Sequence, residues 1–338
     1  MERKIVMLKK VAILGATGAV GRQMLECLIE RNFPCEIKCL ASARSAGREI
    51  QCLGRKFIVE EATRDSFAGM DIVLGAASAS LAREFAPYIT AAGAVFVDNS
   101  SAFRLEKDVP LVVPEINPED VKLHHGIISN PNCSTIITMV AVHALSKISP
   151  IRRLVASTYQ AVSGAGAGGL AELENQVKDY AAGKELKIAQ FKHQIAFNLI
   201  PQIGTDSGNG YTTEEMKMQN EGRKILHLPE MKVTCTCVRV PVMRSHSISV
   251  SLETQRKISV EEARSAIAAA PGCRLVDDLA HDVYPMPLDT SNQDTVFVGR
   301  IRDDLVFENG LALWCCGDQI RKGAATNCVQ IAELLIRS

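Results

Sequence analysis

Over the first 130 residues, short apolar runs alternate with segments that are apolar on one side only. Residues 11–14 form a compact apolar run, residues 15–21 a glycine-rich turn, and residues 23–31 a helical pattern with Met24, Leu25, Leu28 and Ile29 on one side. Further short strands are expected at 36–40, 72–74, 94–97 and 126–129, with a helix at 80–91 before the third of them. Such alternation predicts a parallel α/β sheet. Beyond residue 150 the runs lengthen and alternate, at 153–160, 232–240, 247–253, 295–302 and 305–315, which predicts a largely antiparallel sheet. Helices at 171–182 and 260–269 make this half an α+β domain, and residues 324–336 form a closing helix with one apolar face. The chain is thus read as residues 1–133, joined by 323–338, and a second domain over 134–322.

Length and composition narrow the function. A chain of 338 residues is long enough for two domains, and 47% apolar with 22% charged residues excludes disorder as the main state. Thirty-eight basic residues balance 38 acidic ones, so no overall field draws the chain to nucleic acid or to an anionic membrane. There is no apolar run of membrane-spanning length and no secretory core near the start, so a cytoplasmic location is expected. The ten residues before Val11 are a basic lead in which Met7 offers a second start. The 11 cysteines, an odd number, lie mostly in apolar runs (Cys27, Cys235, Cys237, Cys315, Cys316) without disulfide or metal-site spacing, and read as reduced core residues.

Two places carry chemistry. The turn Gly15-Ala-Thr-Gly-Ala-Val-Gly21 is a spacing variant of the dinucleotide fingerprint, lying between a strand and a helix as a Rossmann-type domain requires. Its backbone at Gly15, Thr17, Gly18, Ala19 and Val20 is expected to approach a pyrophosphate. No acidic residue ends the second strand to bind a ribose 2′-hydroxyl; Ser42, Arg44 and Ser45 stand there instead, types suited to a 2′-phosphate, so the expected cofactor is NADP. The second place is Ser129-Asn-Pro-Asn-Cys133, which sets Cys133 after a strand and a proline turn, where an apolar helix over 135–145 begins. A thiol there has its thiolate favoured by the helix N-terminus. Of seven histidines, His246, joining two strands beside two arginines, is the candidate base, with an ordinary structural histidine as the alternative.

Seven ordered stretches together resemble the aspartate-semialdehyde dehydrogenases over nearly the whole chain: Gly15 to Gly21, Asp98-Asn-Ser-Ser-Ala-Phe-Arg104, Ser129 to Cys133, Thr158-Tyr-Gln-Ala-Val-Ser-Gly164, Glu214-Glu-Met-Lys217, Arg239 to His246, and Gly317-Asp-Gln319. The resemblance implies that Cys133 is the acyl-thioester nucleophile, His246 the general acid/base and Gln160 the group that positions the substrate. It further implies that Arg239 pairs with the substrate α-carboxylate, Glu214 with its ammonium group, and Arg104 and Lys217 with phosphate. Glu215 could take the part of Glu214, and Glu214 with Lys217 could equally be a surface ion pair. Ser163, Gly164 and Gln319 are implied in cofactor contacts. The implied reaction converts L-aspartyl 4-phosphate, NADPH and a proton to L-aspartate 4-semialdehyde, NADP and inorganic phosphate, with helix-start amides after Asn132 as candidate oxyanion donors. In the family that product feeds lysine (through diaminopimelate), threonine and methionine synthesis, and the enzymes are homodimers built through the second domain.

Two rivals remain on the sequence. An N-acetyl-γ-glutamyl-phosphate reductase runs the same chemistry on an acylated amine, which an acidic Glu214 should reject. A non-catalytic NADP-sensing protein would keep the dinucleotide domain but has no use for the set Cys133, Gln160, Arg239 and His246.

Overall fold

The structure is a computed structural model that describes residues 8–337; Met7 and the lead before it lie outside these residues. The described residues form two compact units, 8–131 with 324–337, and 132–323. Cys133, placed by the sequence reading at the end of the first domain, belongs to the second.

In the first unit, β1 (Lys9–Leu14) leads through the glycine turn into α1 (Ala19–Glu30), followed by β2 (Cys35–Ala41), β3 (Glu49–Cys52), β4 (Arg55–Glu61), β5 (Ile72–Gly75), α2 (Ala79–Ala91), β6 (Val95–Asp98) and β7 (Ile127–Ser129). The sheet order is β3-β4-β2-β1-β5-β6-β7, and every pairing but β3–β4 is parallel. Alternation along β1 divides the core. Val11 and Ile13 pack with Met24, Leu25 and Leu28 of α1 on one face, while Ala12 and Leu14 pack with Phe85 and Ile89 of α2 on the other. The β3–β4 hairpin was not foreseen. Its signal is the two-residue turn Leu53-Gly54, both at positive φ, as a tight hairpin demands.

The second unit starts with α3 (Cys133–Ile148), apolar almost all round and buried accordingly. Then come β8 (Ile151–Gln160), α4 (Gly166–Ala181), α5 (Thr213–Leu226), β9 (Lys232–Arg239), β10 (His246–Thr254), α6 (Val260–Ala269), β11 (Cys273–Leu275), α7 (Pro287–Thr290), β12 (Val296–Asp303) and β13 (Gly310–Gly317). The sheet order is β11-β12-β13-β10-β8-β9; β8–β9 and β11–β12 are parallel and the other pairings antiparallel. Two expectations need correction. The strand expected over 305–315 begins only at Gly310, because Asp304 Oδ1 accepts the N–H groups of Val306 and Phe307 and turns the chain outward there. Helix α4 begins at Gly166 rather than at 171, and glycine within its first turn serves close packing: at Gly169 a Cβ would lie 2.3 Å from the Val162 carbonyl oxygen. After β13 a π-helical turn (Arg321–Ala325) leads to α8 (Thr326–Arg337), whose Val329, Ile331 and Ala332 join the first unit's core on the α1 face. No helix among the described residues is long and apolar enough to cross a membrane.

Candidate active site

The position of Cys133, the expected nucleophile, is built by Asn132. Its side-chain Oδ1 caps α3 by accepting the N–H groups of Ser134 (3.0 Å) and Thr135 (3.3 Å), leaving half-buried Cys133 as the first helical residue. This narrows one expectation: the amides of Ser134 and Thr135 are spent on the cap, which takes those two out of the candidate oxyanion donors at the helix start. Asn132 is also tied to α5, its backbone N–H donating to buried Glu221 Oε2 (2.6 Å) and its Nδ2 to Glu214 Oε1 (2.9 Å).

Helix α5 gives two adjacent glutamates different partners. Glu215 closes a capping box with Thr212 and accepts the Cys237 N–H on its other oxygen, so it is a structural cap. Glu214 instead gathers Asn132, Gln160 Nε2 (3.3 Å) and Lys217 Nζ (2.8 Å). Burial pushes the Glu214 carboxyl up, but the Lys217 charge and the hydrogen bonds from Lys217, Asn132 and Gln160 outweigh it and hold the group at about 2. The Glu214–Lys217 pair is therefore no ordinary surface pair: the glutamate is buried. Its oxygens have roughly four acceptor directions, of which the described residues use three.

Gln160 ends β8, and its amide is fixed by Thr158, whose hydroxyl donates to Oε1 (3.0 Å). The next residue, Ala161, holds two side chains by its backbone. Its N–H donates to His246 Nδ1 (3.0 Å) and its carbonyl accepts from Arg239 Nη1 (2.6 Å). An N–H can only donate, so Nδ1 of the neutral ring is bare and Nε2 carries the proton. Complete burial, then the neighbouring Arg239 charge, lowers the His246 pKa to about 3, so the ring is neutral at ordinary pH. Burial likewise lowers that of Arg239, opposed by the nearby Cys133, Glu214 and Cys237. Gly164 passes so close that a Cβ there would lie 2.8 Å from Arg239 Nη1 and 3.2 Å from His246 Cε1. Gln319 donates to Ser163 Oγ and accepts the Ser245 N–H (2.9 Å), bonding the predicted cofactor-contact residues to one another. The second unit thus brings together Cys133, Gln160, Ser163, Gly164, Glu214, Lys217, Arg239, His246 and Gln319.

The first unit holds the remaining predicted residues. Gly15 lies at φ +91°, and a Cβ on it would meet the Ala76 carbonyl oxygen at 2.7 Å; one on Gly21 would meet the Gly15 carbonyl oxygen at 2.2 Å. Gly18 is the N-cap of α1 and has no side chain to cap it, so the amides of Ala19 and Val20 open a helix start that fits a pyrophosphate. Ser42 and Arg44 are exposed and Ser45 half-buried, on a single 3₁₀ turn just past the end of β2, and neither Leu40-Ala41 at that end nor the turn carries an acidic residue. Arg104 is buried, donating to the backbone oxygens of Asn130 (2.9 Å) and Asn99 (2.8 Å). Sequence reasoning missed Asn132 as the cap, Glu221 and the backbone of Ala161. An asparagine just before an apolar helix is a readable cap signal; nothing in the sequence marks the other two.

Family models match both halves: "Semialdehyde dehydrogenase, NAD binding domain" over residues 10–124 and "Semialdehyde dehydrogenase, dimerisation domain" over 143–322. The chain is 52% identical to a protein named aspartate-semialdehyde dehydrogenase from Synechocystis, covering 97% of each. A crystal structure of aspartate semialdehyde dehydrogenase II from Vibrio cholerae complexed with ASA is similar with a TM-score of 0.95 and 42% identity, over 98% of this chain and 99% of that one. The Candida albicans enzyme with NADP is similar at a TM-score of 0.76 and 27% identity, over 97% and 98%.

Proposed function

This chain belongs to the aspartate-semialdehyde dehydrogenase family and carries its NAD(P)-binding domain, and from that premise we propose that it uses NADP to form L-aspartate 4-semialdehyde through a thioester on Cys133. One observation carries the substrate reading: buried, ionised Glu214 and cationic Arg239 share a cluster with Cys133, a pair of opposite charges that matches the ammonium and carboxylate of a free α-amino acid. The unused acceptor direction of Glu214 takes the ammonium, and Arg239 takes the α-carboxylate. Lys217, a partly exposed donor, and Arg104 take phosphate.

In the synthetic direction the Cys133 thiolate attacks the acyl carbon of L-aspartyl 4-phosphate, the C–S bond forms and the C–O bond to phosphate breaks, the departing phosphate taking up the one proton that the reaction consumes. When bound, the reduced nicotinamide supplies a hydride to the thioester carbonyl carbon. The resulting alkoxide is held by the Nε2–H of neutral His246; it re-forms the carbonyl and expels Cys133 as thiolate. Gln160, clamped by Thr158 and Glu214, keeps the substrate facing the thiol. The 2′-phosphate is recognised by Ser42, Arg44 and Ser45, and the pyrophosphate by the α1 start, with Ser163, Gly164 and Gln319 as further contacts.

We assign the homodimer to the open face of the second sheet. Along β8 and β10 alternate residues are buried, and the outward set combines the small Ser157, Ser249 and Ser251 with the apolar Val155, Tyr159 and, from β13, Trp314, a mixed face suited to a second copy. The enzyme works in the cytoplasm, supplying lysine, threonine and methionine synthesis. The test is cofactor reduction by purified protein with L-aspartate semialdehyde, with and without inorganic phosphate. A phosphate-dependent signal with NADP, at least about tenfold above that with NAD, is expected. Turnover only with N-acetylglutamate semialdehyde would replace the substrate reading, and NADPH binding without any turnover would favour a sensor.

A further inference from the structure

The π-helical turn at Arg321–Ala325 lies outside the roles assigned so far. A bond of the same width leads into it, from Gly323 N–H to the Asp318 carbonyl (3.0 Å), five residues back. Asp318 is wholly buried. Its Oδ1 accepts the N–H groups of Ile320 and Arg321, and its Oδ2 accepts from Arg244 Nε (2.5 Å) and the Asn292 N–H (2.7 Å). Beside it, Gln319 takes the N–H of Ser245, a non-glycine residue at φ +73° immediately before His246. A turn fixed this firmly sets one atom with little freedom: a Cβ built on Gly323 would stand 2.9 Å from the Cys133 Cβ and 3.3 Å from its Cα. Gly323 is not in the left-handed region, so an alanine there has no backbone conflict of its own. The conflict is with the nucleophile, whose own backbone is fixed at the start of α3.

We propose that Gly323 is a positioning residue for the reaction: the π-helical turn anchored on Asp318 presses its bare α-carbon against Cys133 and sets where the thiol stands. This rests on the reading of Cys133 as nucleophile. Gly323→Ala must displace Cys133 or the turn by several tenths of an ångström, because Cβ–Cβ approaches under 3.0 Å do not persist. A misplaced nucleophile is costly, so kcat should fall about 10–100-fold while KM for L-aspartate semialdehyde changes less than about threefold. Wild-type kcat in Gly323→Ala would overturn the proposal.

A stability cycle reads the contact without using activity. Gly323→Ala should lower the melting temperature by roughly 5 °C in the Cys133 background and by little in a Cys133→Gly background, where the colliding Cβ is gone. If Gly323→Ala does not fold, recovery of folding in Cys133→Gly/Gly323→Ala supports the proposal. An equal loss in both backgrounds overturns it. Retained turnover in Cys133→Ser would refute the nucleophile assignment instead, while leaving the cycle unaffected.

Discussion

Asn132 performs two tasks that substitution can separate. Asn132→Ala removes the cap of α3, worth about 1 kcal/mol, and the bond from Nδ2 to ionised Glu214, worth about 1.5–3 kcal/mol for a bond to a charged group. Asn132→Asp keeps an equally good cap but turns the donor into a carboxylate facing Glu214 at hydrogen-bond distance. At neutral pH the aspartate variant should therefore lose about 2 kcal/mol or more, roughly 4–8 °C in melting temperature for a unit of this size, although its cap is intact. The two carboxyls cannot both ionise at that separation, so the new aspartate titrates above its unfolded value near 3.9. A group raised in this way destabilises most at high pH, and the penalty shrinks as the pH falls toward about 4. Urea unfolding followed by the fluorescence of the single tryptophan, Trp314 on β13 of the second unit, measures this. An aspartate variant as stable as wild type at pH 7, or one whose deficit does not change between pH 7 and pH 4, would refute the argument.

Three further predictions follow from the same cluster and from the cofactor turn. Glu214→Gln should raise KM for L-aspartate semialdehyde at least about tenfold in steady-state assays. It should also remove a pH-dependent stabilisation: the Glu214 carboxyl is held at about 2 against a usual 4.5, so wild type loses that contribution as pH falls from 4.5 to about 2, and acid titration of the variant should lack the step. For His246, ¹⁵N NMR should show a neutral ring protonated on Nε2 at pH 5. Because the unfolded chain takes up that proton near 6.5 and the folded one only near 3, His246→Asn should flatten the fall in stability across this window; an imidazolium at pH 5 would contradict the tautomer argument. Arg44→Ala should weaken NADP binding about 10–100-fold by calorimetry and leave NAD binding within about twofold, whereas equal losses would remove Arg44 from 2′-phosphate recognition.

Much of this site could be read from the chain because its parts are local. A strand, a glycine turn and a helix are neighbours in sequence, and both Gly15 and Gly21 prove to be places where a side chain would strike backbone. Cys133 at a helix start follows from an asparagine, a proline and an apolar run. What stayed hidden depends on contacts between distant segments. Glu214 and Glu215 are alike in the sequence, and only their surroundings separate a buried ionised carboxylate from a cap bound to the Cys237 amide. The oxyanion expectation is narrowed, because the cap that marks the helix also takes the amides of Ser134 and Thr135. The tautomer of His246 depends on the Ala161 backbone, 85 residues away, and no residue type announces that.

The central claim is an acyl group on Cys133, and trapping it tests that claim most directly. Protein mixed with L-aspartate semialdehyde and NADP, without phosphate, should reduce about one equivalent of cofactor per site and stop, because the thioester then lacks its acceptor. Acid quench and peptide mass spectrometry should find the aspartyl adduct on the peptide containing Cys133, lost on adding phosphate and absent in Cys133→Ser. An adduct on another cysteine, or continued turnover without any adduct, would contradict the account.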